Sequence, residues 1–297
     1  MHGAAFFPAR VCFAVAKVLM PTCLLGLGSN QGDREALLRS AVDALRENPQ
    51  IAVEAVSSFI ATQPVGGPPD QPSYLNGAVR LTTEAPAHQL LCEMLAIERR
   101  LGRERRTRWG TRRIDLDLLL YGESVIDTPP LVIPHPRMAF RRFVLTGACE
   151  VAGERVHPLI GWPLTKILDF ISRPPASVGV YSVAPQAAEK LIRAVGRALK
   201  GRDLACGELA GPAASAVGQP GEWWIATAPT RADDFSPRLK ILLLAPDDEL
   251  PCPPSEQRRL QNHVTRSGHG PWLTLWTPSP ADAVDEVIAA IEAMRTL

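Results

Sequence analysis

From Arg105 to Gly122 the chain reads RRTRWGTRRIDLDLLLYG. The run from Ile114 to Tyr121 alternates at first and then turns continuously apolar, the pattern of a largely buried strand. Successive side chains on a strand point to opposite faces, so Asp115 and Asp117 share one face and Ile114, Leu116 and Leu118 share the other. Neighbouring carboxylates repel each other unless a cation or a proton sits between them. The pair offers only hard oxygen ligands, with no cysteine or histidine at usable spacing, which favours Mg²⁺ over zinc. Upstream lie Arg103, Arg105, Arg106, Arg108, Arg112 and Arg113, and none is a lysine. Guanidinium forks match phosphate oxygens in pairs, whereas an ammonium is a point charge. A divalent metal with polyphosphate pinned beside it is the chemistry that these types and spacings suggest. The plain alternatives are a solvated strand face carrying two acids and, for Arg106 and Arg113, a solvated basic loop. Trp109 is either a packing anchor or a surface that stacks on a ring or guanidinium.

Two further groups could meet a ligand. Tyr74 and Asn76, in SYLNGAV, lie two apart on a predicted strand and share a face. A ring to stack on and an amide that both donates and accepts suit a flat heterocycle. A core tyrosine beside a turn asparagine fits the same residues. His135 stands between Pro134 and Pro136, with Arg141 and Phe143 following, so it is either structural or part of a second phosphate contact. Nothing resembles a Ser/His/Asp triad, and GxxxxGK[ST] does not occur.

The elements that must position these groups follow from periodicity. Thr22 to Leu27 reads as a strand ending in a turn from Gly28 to Asp33, with Asp33 capping a helix over Arg34 to Asn48. Strands follow at Ile51 to Thr62 and Tyr74 to Thr83, separated by the Pro/Gly loop Gln63 to Pro72. A helix over Pro86 to Leu101 precedes the arginine loop and the aspartate strand. After a loop from Ile133 to Phe143, helices are predicted at Val144 to Ala152 and Leu164 to Ile171. The order β-α-β-β-α-β predicts an α+β, ferredoxin-like first domain over 22–171. Residues 172–177 read as a linker. Beyond it, strands at Val178 to Val183, Trp223 to Ala228, Leu239 to Leu244 and Trp272 to Trp276 alternate with helices at Gln186 to Leu199, Glu256 to Arg266 and Ala281 to Met294. That rhythm predicts a smaller α/β domain with a parallel sheet over 178–297.

Composition narrows the function classes. A chain of 297 residues with 46% apolar content suits two domains with real cores. Lys+Arg 32 against Asp+Glu 31 leaves a net charge of +1, which argues against general affinity for nucleic acid or membranes. An Arg/Trp cluster can grip a single strand of nucleic acid, but the acids on the neighbouring strand count against that rival. The six cysteines are scattered without a CxxC pair, as expected for a reducing, cytoplasmic setting. Residues 1–21 are read as a leader or extension. Lys17 interrupts its apolar run, and Met20 is the expected start.

Residues 22–171 resemble the 6-hydroxymethyl-7,8-dihydropterin pyrophosphokinases of folate biosynthesis. The resemblance rests on GLGSNQGD, SSFIATQPVG, DQPSYLNGAV, IERRLGRERRTRWGTRRIDLDLLLYG and IPHPRMAFRRFVL, in family order. It implies transfer of pyrophosphate from ATP to the pterin hydroxymethyl group with release of AMP. By the same resemblance Asp115 and Asp117 hold two Mg²⁺, and Glu98, Arg105, Trp109, Arg112, Leu118, His135 and Arg141 line the ATP side. Arg103 and Arg112 act on the transferred group. Thr62 and Val65 meet the pterin edge through their backbone, Asn76 through its side chain, and Tyr74 and Phe143 sandwich the ring, with Trp109 nearby. Pro136 departs from the pattern, standing where an aromatic residue is common. In the second part, VGVYSVAPQAAEKLIRAV and the ending GPWLTLWTPSPADAVDEVIAAIEAM are similar to deoxynucleoside kinases, but VAPQAAEKL lacks the glycines and the GK[ST] end of a phosphate loop. A degenerate kinase-like domain, with a role in regulation or in a homodimer, is the expectation.

Overall fold

The computed structural model describes residues 20–68, 70–103, 110–173, 176–182, 185–199, 206–208, 223–227, 237–244, 270–276 and 280–295. The leader to residue 19, the segment from Glu104 to Trp109 and the helix predicted at Glu256 to Arg266 lie outside them.

The first sheet contains β1 (Thr22–Ser29), β2 (Ile51–Val56), β3 (Ile60–Thr62), β4 (Tyr74–Thr83) and β5 (Asp115–Tyr121). Its order is β2-β4-β1-β5, with β3 also on β4, and the pairings are antiparallel. Two predicted boundaries shift. β1 continues through Gly28 and Ser29 instead of turning there, because both residues find partners on β4 and Gly28 also on β5. The predicted strand from Ile51 to Thr62 is two strands, since Ser57 breaks the run by using its hydroxyl to accept from Ala78 N–H (2.8 Å).

Alternation along these strands builds two different faces. Cys23, Leu25, Leu27, Val79, Leu81, Leu116 and Leu118 pack under α1 (Arg34–Arg46) and α2 (Ala87–Arg100). Asp33 caps α1 by accepting from Ala36 N–H at 3.0 Å, and Leu38, Ala41, Val42 and Leu45 form its buried stripe. Burying one leucine contributes about 1.5–3 kcal/mol. An exposed pair such as Arg39–Glu35 contributes a few tenths. The apolar stripe therefore decides how α1 sits.

On the other face, Leu24, Ala78 and Leu119 pack with α3 (Arg142–Ala152) and α4 (Leu164–Ser172). Between β5 and α3 come a hairpin of β6 (Ile126–Thr128) and β7 (Leu131–Ile133), which sequence periodicity did not reveal, and a 3-10 turn at Met138–Phe140. These strands span three residues each, too short to display a period.

The second sheet is parallel, in the order β12-β11-β8-β10-β9. Its strands are β8 (Ala176–Ser182), β9 (Cys206–Glu208), β10 (Trp223–Thr227), β11 (Leu239–Leu244) and β12 (Trp272–Trp276). They go with α5 (Pro185–Leu199) and a C-terminal helix at Pro280–Arg295, α6 in the numbering used here. α4 runs to Ser172 and β8 begins at Ala176, so both ends of the segment read as a linker belong to these elements. One apolar core runs through both halves: Leu145, Leu164 and Ile167 join Val178, Val195, Val287 and Ile291.

Gly147 lets α3 approach β4. A Cβ there would lie 3.1 Å from Ser57 Oγ and 3.3 Å from the backbone nitrogen of Ala78. Gly147→Val is expected to destabilise the protein by about 1–3 kcal/mol through overpacking. A lowered denaturation midpoint by circular dichroism checks this.

Candidate functional site

The second face of the first sheet is apolar at one end and polar at the other. Asp115 and Asp117 precede Leu119 with the same phase, and Tyr74 and Asn76 precede Ala78. Beyond the cover of α3, the polar end forms the floor of a cleft of about 190 Å³. Its lining includes Gly26, Gly28, Tyr74, Asn76, Asp115 and Asp117. Thr62, Val65, Gln71, Arg112, Arg141 and Phe143 surround them.

Gly28 explains why there is space. It pairs with Asn76 on one side and Asp115 on the other. A Cβ there would stand 3.1 Å from Asn76 Oδ1 and 3.8 Å from Asp115 Cβ. The central strand thus leaves a gap between an amide and a carboxylate. Read as a turn residue, Gly28 gave no hint of this. The spacing of two between Gly26 and Gly28 was the available signal.

The charges are tightly matched. Asp115 lies 2.8 Å from Arg103 Nη1 and also accepts from Arg112 Nη1. Arg141 Nη1 is 3.9 Å from Asp117 Oδ2. Burial pushes the Asp115 carboxyl above its usual range, the Asp117 charge adds to that, and Arg112 and Arg103 oppose it. At Asp117 burial acts in the same upward direction, but His135, Arg141, Arg112 and Arg103 outweigh it and hold the carboxyl below its usual range. The two acids are therefore driven apart, and Asp117 is the one kept ionised. Burial, reinforced by Arg141 and Arg137 against the pull of Asp117, takes His135 down to about 4, which leaves a neutral imidazole at pH 7. Its Nδ1 accepts from Arg137 N–H at 3.2 Å.

Among the described residues no group of three or more His, Cys, Asp or Glu could hold a metal by itself. Two carboxylates on one strand face still fit Mg²⁺, which takes one or two carboxylates and completes its shell with water and substrate phosphates.

Asn76 Nδ2 donates to Thr62 Oγ1 at 2.7 Å, which fixes the amide plane against β3. Arg141 stacks on Phe143, 5.9 Å from its ring centroid. Gln71, not singled out in the sequence, also lines the cleft, and its buried Oε1 has no partner among the described residues. Three residues expected at the ATP side, Glu98, Leu118 and His135, are not among those that line the cleft. Leu118 is 4% exposed and packs under α1 and α2, so its side chain faces away from the cleft. Glu98 is 2% exposed. It accepts from Leu116 N–H at 2.8 Å and from Arg103, and so positions β5 and Arg103 from behind. Arg105 and Trp109 lie outside the described residues.

Sequence reading also passed over Asn30. Its Oδ1 accepts from Arg112 N–H at 2.7 Å, its own N–H donates to Arg112 O at 3.0 Å, and its Nδ2 donates to Pro72 O at 3.4 Å. One buried side chain thus joins the end of β1 to both bordering loops. Nothing in the local sequence distinguishes it from a turn asparagine.

Residues 24–153 match the family model for 7,8-dihydro-6-hydroxymethylpterin-pyrophosphokinase (HPPK). A Bacillus subtilis protein named 2-amino-4-hydroxy-6-hydroxymethyldihydropteridine pyrophosphokinase is 46% identical over 127 residues, 43% of this chain and 75% of that one. A Synechocystis protein of the same name is 36% identical over 162 residues, 54% of this chain and 80% of that one. A solved Plasmodium falciparum HPPK-DHPS aligns at 12% identity with a TM-score of 0.42, covering 63% of this chain and 55% of that one, too weak a likeness to carry an argument. With such identity over three quarters or more of the two curated relatives, the chain belongs to the 7,8-dihydro-6-hydroxymethylpterin-pyrophosphokinase family.

Proposed function

We infer that this chain transfers the terminal pyrophosphoryl group of ATP to the hydroxymethyl oxygen of 6-hydroxymethyl-7,8-dihydropterin, releasing AMP, a step of folate biosynthesis. The supporting observation is one sheet face that places an aromatic and amide slot, Tyr74 and Asn76, beside two acids ringed by Arg103, Arg112 and Arg141. The pterin ring lies between Tyr74 and Phe143. Its amide edge meets Asn76 and the backbone of Thr62 and Val65.

Asp115 and Asp117 are the residues that would hold Mg²⁺, two ions by family resemblance. When bound, the metal neutralises phosphate charge and polarises the phosphoryl oxygens. The hydroxymethyl oxygen attacks the β-phosphorus, the bond from that phosphorus to the oxygen of the α-phosphate breaks, and AMP leaves with the electron pair. The hydroxyl proton departs to solvent beside Asp117, the acid kept ionised. Such transfers depend mainly on alignment and on charge stabilisation. Arg112 and Arg103, already turned toward Asp115, supply donors to the group in flight. Arg141 and His135 border the nucleotide side, which Arg105 and Trp109 would complete.

The ferredoxin-like reading of the first half is supported by its strand order. The parallel order of the second sheet supports a kinase-like ancestry. The missing phosphate loop speaks against a nucleotide site there.

Incubation with ATP, Mg²⁺ and the pterin is expected to yield AMP; ADP as product would refute the reaction class. Asp117→Ala is expected to lower kcat by at least about 10²–10³, with pterin affinity changed only a few-fold. Calorimetry alongside the rate assay separates the two effects. Asn76→Ala removes a buried hydrogen-bonding edge and is expected to weaken pterin binding by about 1–3 kcal/mol, measured by fluorescence titration.

A further inference from the structure

Two loops border the cleft, and one helix of the second half holds both. Gly66, in the loop from Gln63 to Pro72, donates its N–H to Glu292 Oε2 at 3.2 Å. Arg137, which follows β7, places Nη2 at 2.8 and 3.0 Å from the two carboxylate oxygens of Glu286. Gly66 and Arg137 line the cleft, whereas Glu286 and Glu292 do not. Both glutamates belong to α6.

These contacts are placed where they can carry force. The Glu286 side chain is 10% exposed and that of Arg137 35% exposed. A carboxylate so far from water is costly unless a cation stays beside it, so the pair pins Arg137 to the helix. The first loop has left-handed backbone at Gly66 and Gly67 and at Asp70, where φ is +63°. Aspartate adopts this region at modest cost, which contacts around the loop offset. Gln71 Nε2 braces the loop from within, donating to the carbonyls of Gly66 and Pro68 at 3.2 Å each. Glu292 braces it from outside. α6 is itself fixed, because Val287, Ile291 and Met294 are buried in the core common to both halves.

We propose that α6 is a positioning element of the pyrophosphokinase cleft, with Glu292 setting the loop on the pterin side and Glu286 setting Arg137 on the nucleotide side. The assignment of sides rests on the reading of the cleft given above. The second half thereby acts on the reaction without a nucleotide site of its own. It holds two loops near their binding conformation, which lowers the ordering cost that each substrate would otherwise meet.

The test uses the full chain and a fluorescence titration of the pterin with Mg²⁺ and a non-hydrolysable ATP analogue. Glu292→Ala deletes the acceptor and is expected to raise the pterin Kd about five- to tenfold. Glu292→Gln keeps a carbonyl acceptor and is expected to stay within about twofold of wild type. Glu286→Gln is expected to raise the Kd of the ATP analogue by a similar factor while leaving the pterin Kd unchanged, and an unchanged analogue Kd overturns the role given to Glu286. Thermal melting of each variant separates local from global effects. Wild-type binding with an unchanged Kd in Glu292→Ala, or a Gln variant as weak as the Ala variant, overturns this inference alone. Absence of pterin binding by the wild type overturns the reading of the cleft as well. Should Glu292→Ala fail to fold, hydrogen exchange at the Gly66 amide of the wild type decides. Protection is expected, and exchange at the unfolded rate overturns the proposal.

Discussion

Two carboxylates side by side on a strand, partly withdrawn from water, are the constraint on which the site depends. Left alone, Asp115 and Asp117 would repel, and burial would penalise each charge as well. The chain answers with guanidinium groups from three directions: Arg103 after α2, Arg112 before β5, and Arg141 before α3. Each of these must be held in turn. Glu98 holds Arg103 from inside α2, and Asn30 holds the backbone of Arg112. The site is therefore a balanced charge cluster whose supports reach back into the core.

The sheet makes this arrangement possible by treating its faces differently. One face is largely apolar and is sealed by α1 and α2. The other is shared: α3 covers the end that carries Leu24, Ala78 and Leu119, and leaves the end that carries Tyr74, Asn76, Asp115 and Asp117 as the floor of the cleft. Gly147 governs how closely α3 sits, and Gly28 leaves the floor open. Packing and function thus meet along a single strand, β4, where Asn76 serves the cleft and Ala78, two residues on, serves the core.

The second half is joined to this scheme through a common core and through α6, which packs against α3, α4, α5 and the 3-10 turn. Its parallel sheet and the antiparallel sheet therefore share a helical layer. A contact made by α6 reaches the rim of the cleft without a long lever, because the helix already lies against the elements that carry that rim.

The amino-acid sequence by itself determined most of the elements and which polar groups share one face of the first sheet. Period-two alternation at Tyr74 to Ala78 and Asp115 to Leu119 placed the cleft-lining groups on one face, since that geometry is local. The stripe of Leu38, Ala41, Val42 and Leu45 located α1 for the same reason. Tertiary structure alone decided the rest. Glu98 and Leu118 face the interior, Gly28 is floor and not turn, Asn30 braces the arginine segment, and Glu286 and Glu292 hold Arg137 and Gly66 at the rim of the cleft from more than a hundred residues away. Those roles depend on which surfaces meet after the chain has closed, and no local period records a partner distant in sequence.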